Sequence, residues 1–225
     1  DEAHSVGVFG KRTCNDAIKQ ANIATRTKQD LSDFTLNDFV RDFRVQNDGL
    51  GLARALGLQS QIDFLIFTFG KAIGSMGACV ICDRHFKEFF VNKARGLIYS
   101  TALPPINVAF SYFVFQKLGT KSMARRREKL ANLSEVFKIG LGIIASKYHL
   151  ISLGKSHIFS LILGENARAI KLAKKLESSG IYAPAIKYPT VPQNTARIRF
   201  CLNANITQKE AQKALEMLEK HIKSI

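Results

Sequence analysis

Tryptophan is absent from this chain, and cysteine is scarce, with four among 225 residues. So few thiols exclude the disulfide framework of a small secreted protein. Cys79 and Cys82 form a single C-x-x-C within an apolar run, with no second C-x-x-C and no paired histidines. Strand positions three apart point to opposite faces, so the pair reads as strand core rather than as a metal or redox site. Acidic residues are also few, 18 against 33 Lys and Arg, for a net charge of +15. That balance invites a nucleic-acid partner. The basic residues are dispersed, however, and run densely only through residues 121–129, KSMARRREK. Leu130, Leu133 and Phe137 follow as the apolar stripe of a helix, and the basic run reads as its solvated face. A long apolar run is missing too. The longest uncharged stretch, residues 96–116, contains Pro104-Pro105 and several polar residues, a poor membrane span. No secretory leader is visible. The expectation is a soluble cytoplasmic protein with neither a nucleic-acid nor a membrane partner.

Hydrophobic residues make up 46% of the chain, enough for a sizeable core in one or two domains. The pattern is α/β. Residues 52–58 suit a short helix, 63–67 a buried strand, 78–82 a second strand and 86–94 a helix. Residues 106–147 read as long helices broken near Gly119 and Gly140. A strand over 157–163, a helix over 166–178, strand segments at 181–186 and 196–202, and a helix over 208–224 follow. Thr207 with Glu210 makes a capping box for the last helix. This final part reads as a small open sheet covered by helices on one side. Within residues 11–48, Leu36, Phe39, Val40 and Phe43 keep helical spacing, with Thr35 as the N-cap, so the segment reads as a surface excursion with one amphipathic helix.

Four stretches carry chemistry. Lys71 lies in Thr68-Phe69-Gly70-Lys71-Ala72-Ile73-Gly74, a lysine on a glycine-flanked turn after an apolar strand. Its amine suits a Schiff base, and Thr68 adds a hydroxyl three residues earlier. On its own the lysine reads as readily as a surface residue. The chain opens Asp1-Glu2-Ala3-His4-Ser5, which in most proteins is a helix cap or an ion pair. Tyr99-Ser100-Thr101-Ala102-Leu103-Pro104-Pro105 reads locally as a strand ending in a proline-stiffened turn. In Ala196-Arg197-Ile198-Arg199 the two arginines share one strand face, opposite Ile198, and a guanidinium fork suits a carboxylate. His85, His149, His157 and His221 keep no partner spacing and read as surface or structural histidines.

Together these stretches resemble the α-oxoamine synthase family of fold-type I, pyridoxal 5′-phosphate (PLP)-dependent enzymes. The resemblance covers residues 1–10 and 49–225. It implies an α/β fold, the C-terminal part of a fold-type I transferase. Residues 1–118 would be the C-terminal part of a cofactor-binding large domain, interrupted by an insert at 11–48. Residues 119–225 would be linking helices and a small α+β domain. The strand expected before Asp1, an aromatic that stacks on the cofactor ring and one phosphate loop belong to a preceding half. The chain therefore reads as the C-terminal portion of a longer protein.

The resemblance implies these roles. Lys71 holds PLP and later acts as the base at the substrate Cα. Asp1 pairs with the pyridinium nitrogen, and His4 sits beside the phenolic oxygen. Ser5 closes the turn. Thr68 contacts the phosphate, and Thr101, more than Ser100, reaches the phosphate of a neighbouring subunit, which implies a homodimer with shared active sites. Arg197 takes the substrate carboxylate, and Arg199 serves structure. Members of the family condense an amino acid with an acyl thioester and lose CO2. The Tyr188-Pro189-Thr190-Val191-Pro192 run leans toward those that join L-alanine to a pimeloyl thioester, on acyl-carrier protein or coenzyme A, in biotin synthesis. Such an anionic carrier would also use the surplus positive charge. Other members take glycine with acetyl- or succinyl-CoA, or serine with palmitoyl-CoA. An inactive fragment or scaffold of such an enzyme, and a basic nucleic-acid-binding module, are the readings from other classes.

Overall fold

The computed structural model describes residues 2–10 and 48–225. Asp1 and the helical reading of residues 35–43 lie outside them. The chain divides into two compact units, with the boundary between Arg127 and Glu128.

In the first unit, residues 5–10 and 49–51 run antiparallel. Val6 bridges Leu50, Gly7 N donates to Gly49 O at 2.7 Å, and Gly51 N donates to Phe9 O at 2.7 Å. Helix α1 (Leu52–Leu56) and a 3-10 turn (Gln59–Gln61) lead into strand β1 (Phe64–Thr68). Strand β2 (Ala78–Cys82) returns antiparallel, pairing Phe67 with Cys79 and Phe64 with Cys82. Helices α2 (Arg84–Lys93) and α3 (Pro105–Leu118) follow. Asp83 caps α2, its carboxylate accepting from His85 N. The core here is small: Val6, Phe67, Ile73 and Leu118, with Phe69, Cys79, Val114 and Phe115 against it. The rings of Phe67, Phe69 and Phe115 meet pairwise at 5.5–6.2 Å, a spacing that favours tilted aromatic contacts. Cys79 lies half-buried in this cluster, as strand core should. Burial, and secondarily Cys82, pushes its thiol pKa up.

Helix α4 (Lys121–Lys147) carries the chain into the second unit. The break expected near Gly119 is present, but the one expected near Gly140 is not, because α4 runs through it. A side chain at Gly140 would collide with the Leu215 methyl, so this glycine permits close helix packing instead of ending a helix. Strands β3 (Ile151–Leu153), β4 (Ile158–Gly164), β5 (Ala185–Ile186) and β6 (Ala196–Cys201) form an antiparallel sheet in the order β3-β4-β6-β5. Strand β3 had no signal in the sequence, and β5 is shorter than expected. Along β4 and β6 every second residue is buried, the alternation of a sheet covered on one face. Helix α5 (Asn166–Ser178) packs on β4, β5 and β6, and helix α6 (Gln208–Ile222) packs on α5. Phe137 of α4 meets Phe159 and Phe200 at 5.4 and 5.3 Å between ring centres. The capping box of α6 is formed in full, with Thr207 and Glu210 exchanging hydrogen bonds. No helix among the described residues is long and apolar enough to cross a membrane.

Candidate active site

Lys71 stands exposed on the turn that joins β1 to β2. The turn is fixed from both sides. Phe69 N donates to Gly77 O at 2.8 Å, Ser75 N to Phe69 O at 2.9 Å, and Gly74 N to Lys71 O at 3.0 Å. Ile73 drops into the core cluster and anchors the loop from beneath. The backbone around Lys71 is thus held while its amine reaches solvent.

The Thr68 hydroxyl accepts from Gly70 N at 3.2 Å and donates to Gly77 O at 3.3 Å. The second bond is at the long end of the useful range, so the proton can be redirected to a better acceptor at little cost. Leu103 lies against the same corner: a side chain at Gly77 would come within 2.5 Å of its methyl. The segment carrying Thr101 therefore passes the end of the β1–β2 hairpin. Thr101 is exposed, and Ser100 donates its hydroxyl to Leu97 O at 2.6 Å.

The turn carrying His4 packs beside this hairpin. Glu2 N donates to Ile66 O of β1 at 2.7 Å. Gly7, at φ +84°, leaves so little room that an added Cβ would lie 2.8 Å from the Ala72 methyl. Only glycine satisfies both that backbone angle and that approach. Ser5 closes the turn, its hydroxyl donating to Glu2 O at 3.2 Å. His4 is exposed at the turn's surface. The structure thus gathers Lys71, Thr68, His4 and the approach to Thr101 within one unit. Among the described residues no group of His, Cys, Asp and Glu is arranged to hold a metal ion.

Arg197 lies in the second unit, on β6. It is half-buried, with Nε donating to Thr195 O at 3.0 Å. It shares a face with Arg199, while Ala196, Ile198 and Phe200 fill the opposite, buried face. Of the remaining histidines, His221 Nε2 meets the Ser179 hydroxyl at 2.7 Å and His157 Nδ1 meets that of Ser156 at 2.8 Å.

Two residues escaped the sequence reading. Arg127, read there as part of a solvated basic face, is only 5% exposed. Its Nη2 donates to Leu118 O at 2.8 Å, and Nη1 lies against Gly49. Burial lowers its pKa, and the nearby Asp48 carboxylate opposes that shift. The signal was available: Arg127 sits three positions before Leu130, on the same stripe as Leu133 and Phe137. Glu2 is 4% exposed, and both its carboxylate oxygens accept backbone N–H groups 50 and 51 residues along the chain. No local spacing announces such a contact.

The chain matches the aminotransferase class I and II family over residues 1–218. It is 42% identical over 163 residues to the 8-amino-7-oxononanoate synthase of Haemophilus ducreyi, covering 72% of this chain and 41% of that protein. The solved 8-amino-7-oxononanoate synthase of Francisella tularensis superposes with a TM-score of 0.70 at 26% identity, covering 99% of this chain and 54% of that one. The fold is shared with the serine palmitoyltransferase of Sphingomonas wittichii, at a TM-score of 0.73 and 22% identity, over 98% of this chain and 45% of that one. The chain spans less than half the length of the curated relatives it matches. The chain belongs to the aminotransferase class I and II family, and within it is similar to the 8-amino-7-oxononanoate synthases.

Proposed function

We propose that this chain carries the lysine-bearing part of a PLP-dependent α-oxoamine synthase, which joins an amino acid to an acyl thioester with loss of CO2. The observation that carries the reading is the placement of Lys71: an exposed amine on a rigid turn, packed against the turn of His4 through Gly7, Ala72 and the Glu2–Ile66 hydrogen bond. An aldehyde-bearing, phosphate-bearing cofactor fits the donors present, which are a primary amine, an imidazole and the hydroxyls of Thr68 and Thr101. When bound, PLP supplies an electron sink for charge formed at the substrate Cα.

The residues of this chain do the rest. Lys71 would hold the cofactor through Nζ and, once free of it, would serve as the base for the proton at the substrate Cα. Asp1 would keep the ring nitrogen protonated through a charge-assisted hydrogen bond. His4 would hold the phenolic oxygen. Thr68 and Thr101 would donate to the phosphate, Thr101 to that of the second subunit of a homodimer. Arg197 grips the substrate carboxylate through its planar fork. The finer reading is L-alanine with a pimeloyl thioester, on acyl-carrier protein or coenzyme A, giving 8-amino-7-oxononanoate. The names of the relatives support it, while the serine palmitoyltransferase fold keeps glycine and serine users as the competing readings. The open apolar surfaces of the first unit favour a chain that is inactive by itself.

The test uses the full-length protein that contains this chain. Lys71→Ala should leave no borohydride-trappable cofactor on the protein and no CO2 release. A reduced pyridoxyl adduct mapped to another lysine would overturn the assignment. Rates with L-alanine, glycine and L-serine at one thioester then select the branch.

A further inference from the structure

We infer that Glu2 is a positioning residue of the active site, the clamp that sets the turn of His4 against the strand leading to Lys71. The inference rests on the proposed PLP chemistry. It assigns work to a residue that makes none of the cofactor contacts named above.

Every polar group of Glu2 is engaged. Its N–H donates to Ile66 O at 2.7 Å, in the middle of β1 and five residues before Lys71. Its carbonyl accepts from Ser5 N at 3.1 Å, from the Ser5 hydroxyl at 3.2 Å and from Val6 N at 3.3 Å, which folds the turn that displays His4. Its carboxylate reaches the other way. Oε2 accepts from Leu52 N at 2.8 Å and Oε1 from Ala53 N at 2.5 Å. A carboxylate this buried is costly unless both oxygens are met, and here both are met by backbone donors. One residue therefore ties three segments together: the strand before Lys71, the turn of His4, and the corner where α1 begins. The main-chain bond to Ile66 alone would leave the turn free to pivot. The second tether, at the far end of the side chain, removes that freedom. Positioning at this level matters because catalytic groups misplaced by about 1 Å lose much of their effect.

Glu2→Gln tests this with little change in shape. The amide oxygen can serve one backbone N–H, but its NH2 then faces the other donor. In the full-length holoprotein, cofactor retention should weaken on the order of tenfold, the equivalent of one charge-assisted hydrogen bond. At saturating cofactor, the pH midpoint of the bound cofactor's visible absorbance should also move, a readout that general loosening of the fold would leave in place. In the cofactor-free protein, the His4 ring resonances should broaden or split. Leu52→Pro removes the donor facing Oε2 while keeping a residue suited to the first turn of a helix. In that background Glu2→Gln should do less harm, a coupling readable as a double-mutant cycle. If Glu2→Gln speeds amide exchange at Leu52 and Ala53 but leaves the absorbance midpoint and the His4 spectrum unchanged, Glu2 serves the fold alone and the inference fails. If the wild-type protein takes up no cofactor at Lys71, the proposed function fails, and the His4 spectrum still decides whether Glu2 positions that turn.

Discussion

In the second unit, Leu161, Leu172, Ile198 and Leu218 expose no surface at all; in the first, Phe64, Ile66 and Val80 share one face of a two-stranded ribbon and all stand exposed. The opposite face of that ribbon is covered only around Phe67 and Cys79. Helix α3 is apolar on every side, the composition of a helix meant to be surrounded, yet Ile106 is 74% exposed, and Val108, Phe110, Tyr112 and Phe113 are exposed as well. Apolar surface of this extent marks a surface that something covers. That cover is not among the described residues. The second unit is a finished antiparallel layer with its own core. The first carries most of the proposed site on a sheet of two strands, which is marginal without further support. The residues proposed to react thus sit in the less self-sufficient part of this chain.

The sharpest way to break that contrast is to remove matched volumes from the two units. Leu161→Ala, at a site with 0% exposure, should cost the second unit about 2–5 kcal/mol. Ile81→Ala, at a site 53% exposed, should cost the first unit under about 1 kcal/mol in this chain. Amide-exchange free energies within each unit separate the two, since one global midpoint would mix them. Equal losses would mean that the ribbon is already covered. In the full-length protein the Ile81 cost should rise if its partner surface lies there.

Arg127, like Glu2, is a well-buried polar anchor in the otherwise open first unit. Arg127→Ala should destabilise that unit by roughly 2–3 kcal/mol, because it removes a charge-assisted bond to Leu118 O and leaves that carbonyl unserved. Slower loss of protection at Gly49 and Leu118 than at Ile81 in the wild type, reversed in the variant, would show the anchor at work. No change at those amides would place Arg127 outside the unit's stability.

How far the sequence could be read follows the same division. The second unit announced itself because its signals are local. Helix α5 is legible to the residue, 157–163 and 196–202 read as strands of a sheet covered on one side, and Thr207 with Glu210 marks the start of α6. The failures there were β3, too short to carry a period, and Gly140, whose reason is a neighbour 75 positions away. In the first unit the strands and the Lys71 turn were legible from an apolar run closed by glycines. The ties that hold the site were not. Glu2 to Leu52 and Ala53, Gly7 to Ala72, and Arg127 to Leu118 and Gly49 each join residues whose spacing has no period. Such contacts exist only once the topology exists.

The segment between the paired stretches 5–10 and 49–51 offers a milder test. Gly10 adjoins Asp48 and Gly49, so the described residues on either side of the segment meet at one place. Asp48 itself belongs to the folded body, accepting from Leu50 N and pairing with Arg54 at 3.1 Å. Deleting residues 11–47 and joining Gly10 to Asp48 should therefore change stability by no more than about 1 kcal/mol, chiefly through loop entropy. A collapse of exchange protection at Phe67 would show that the apolar residues at 36, 39, 40 and 43 help cover the open unit. Retained protection would direct the search for that cover elsewhere.

The smallest effect is expected at the surface of the finished unit, where Lys147 pairs with Glu219 at 2.6 Å. The hydrogen bond from Lys147 holds the Glu219 carboxyl below the usual carboxylate range, and the bond to Glu219 holds the Lys147 amine above its ordinary value. The signs follow from linkage. The glutamate's contribution is present above the ordinary carboxylate pKa and is lost as pH falls through the depressed one. The lysine's is present below the ordinary amine pKa and is lost as pH rises through the raised one. The pair thus supports the unit across the neutral range and fades at both ends. Both groups are solvated, so the gain is small and screened by salt. Lys147→Ala should lower the unfolding midpoint slightly near neutral pH, with the difference vanishing at high salt and below the carboxylate range. A loss comparable to that of Leu161→Ala would mean that charge, and not the covered sheet face, closes the second unit.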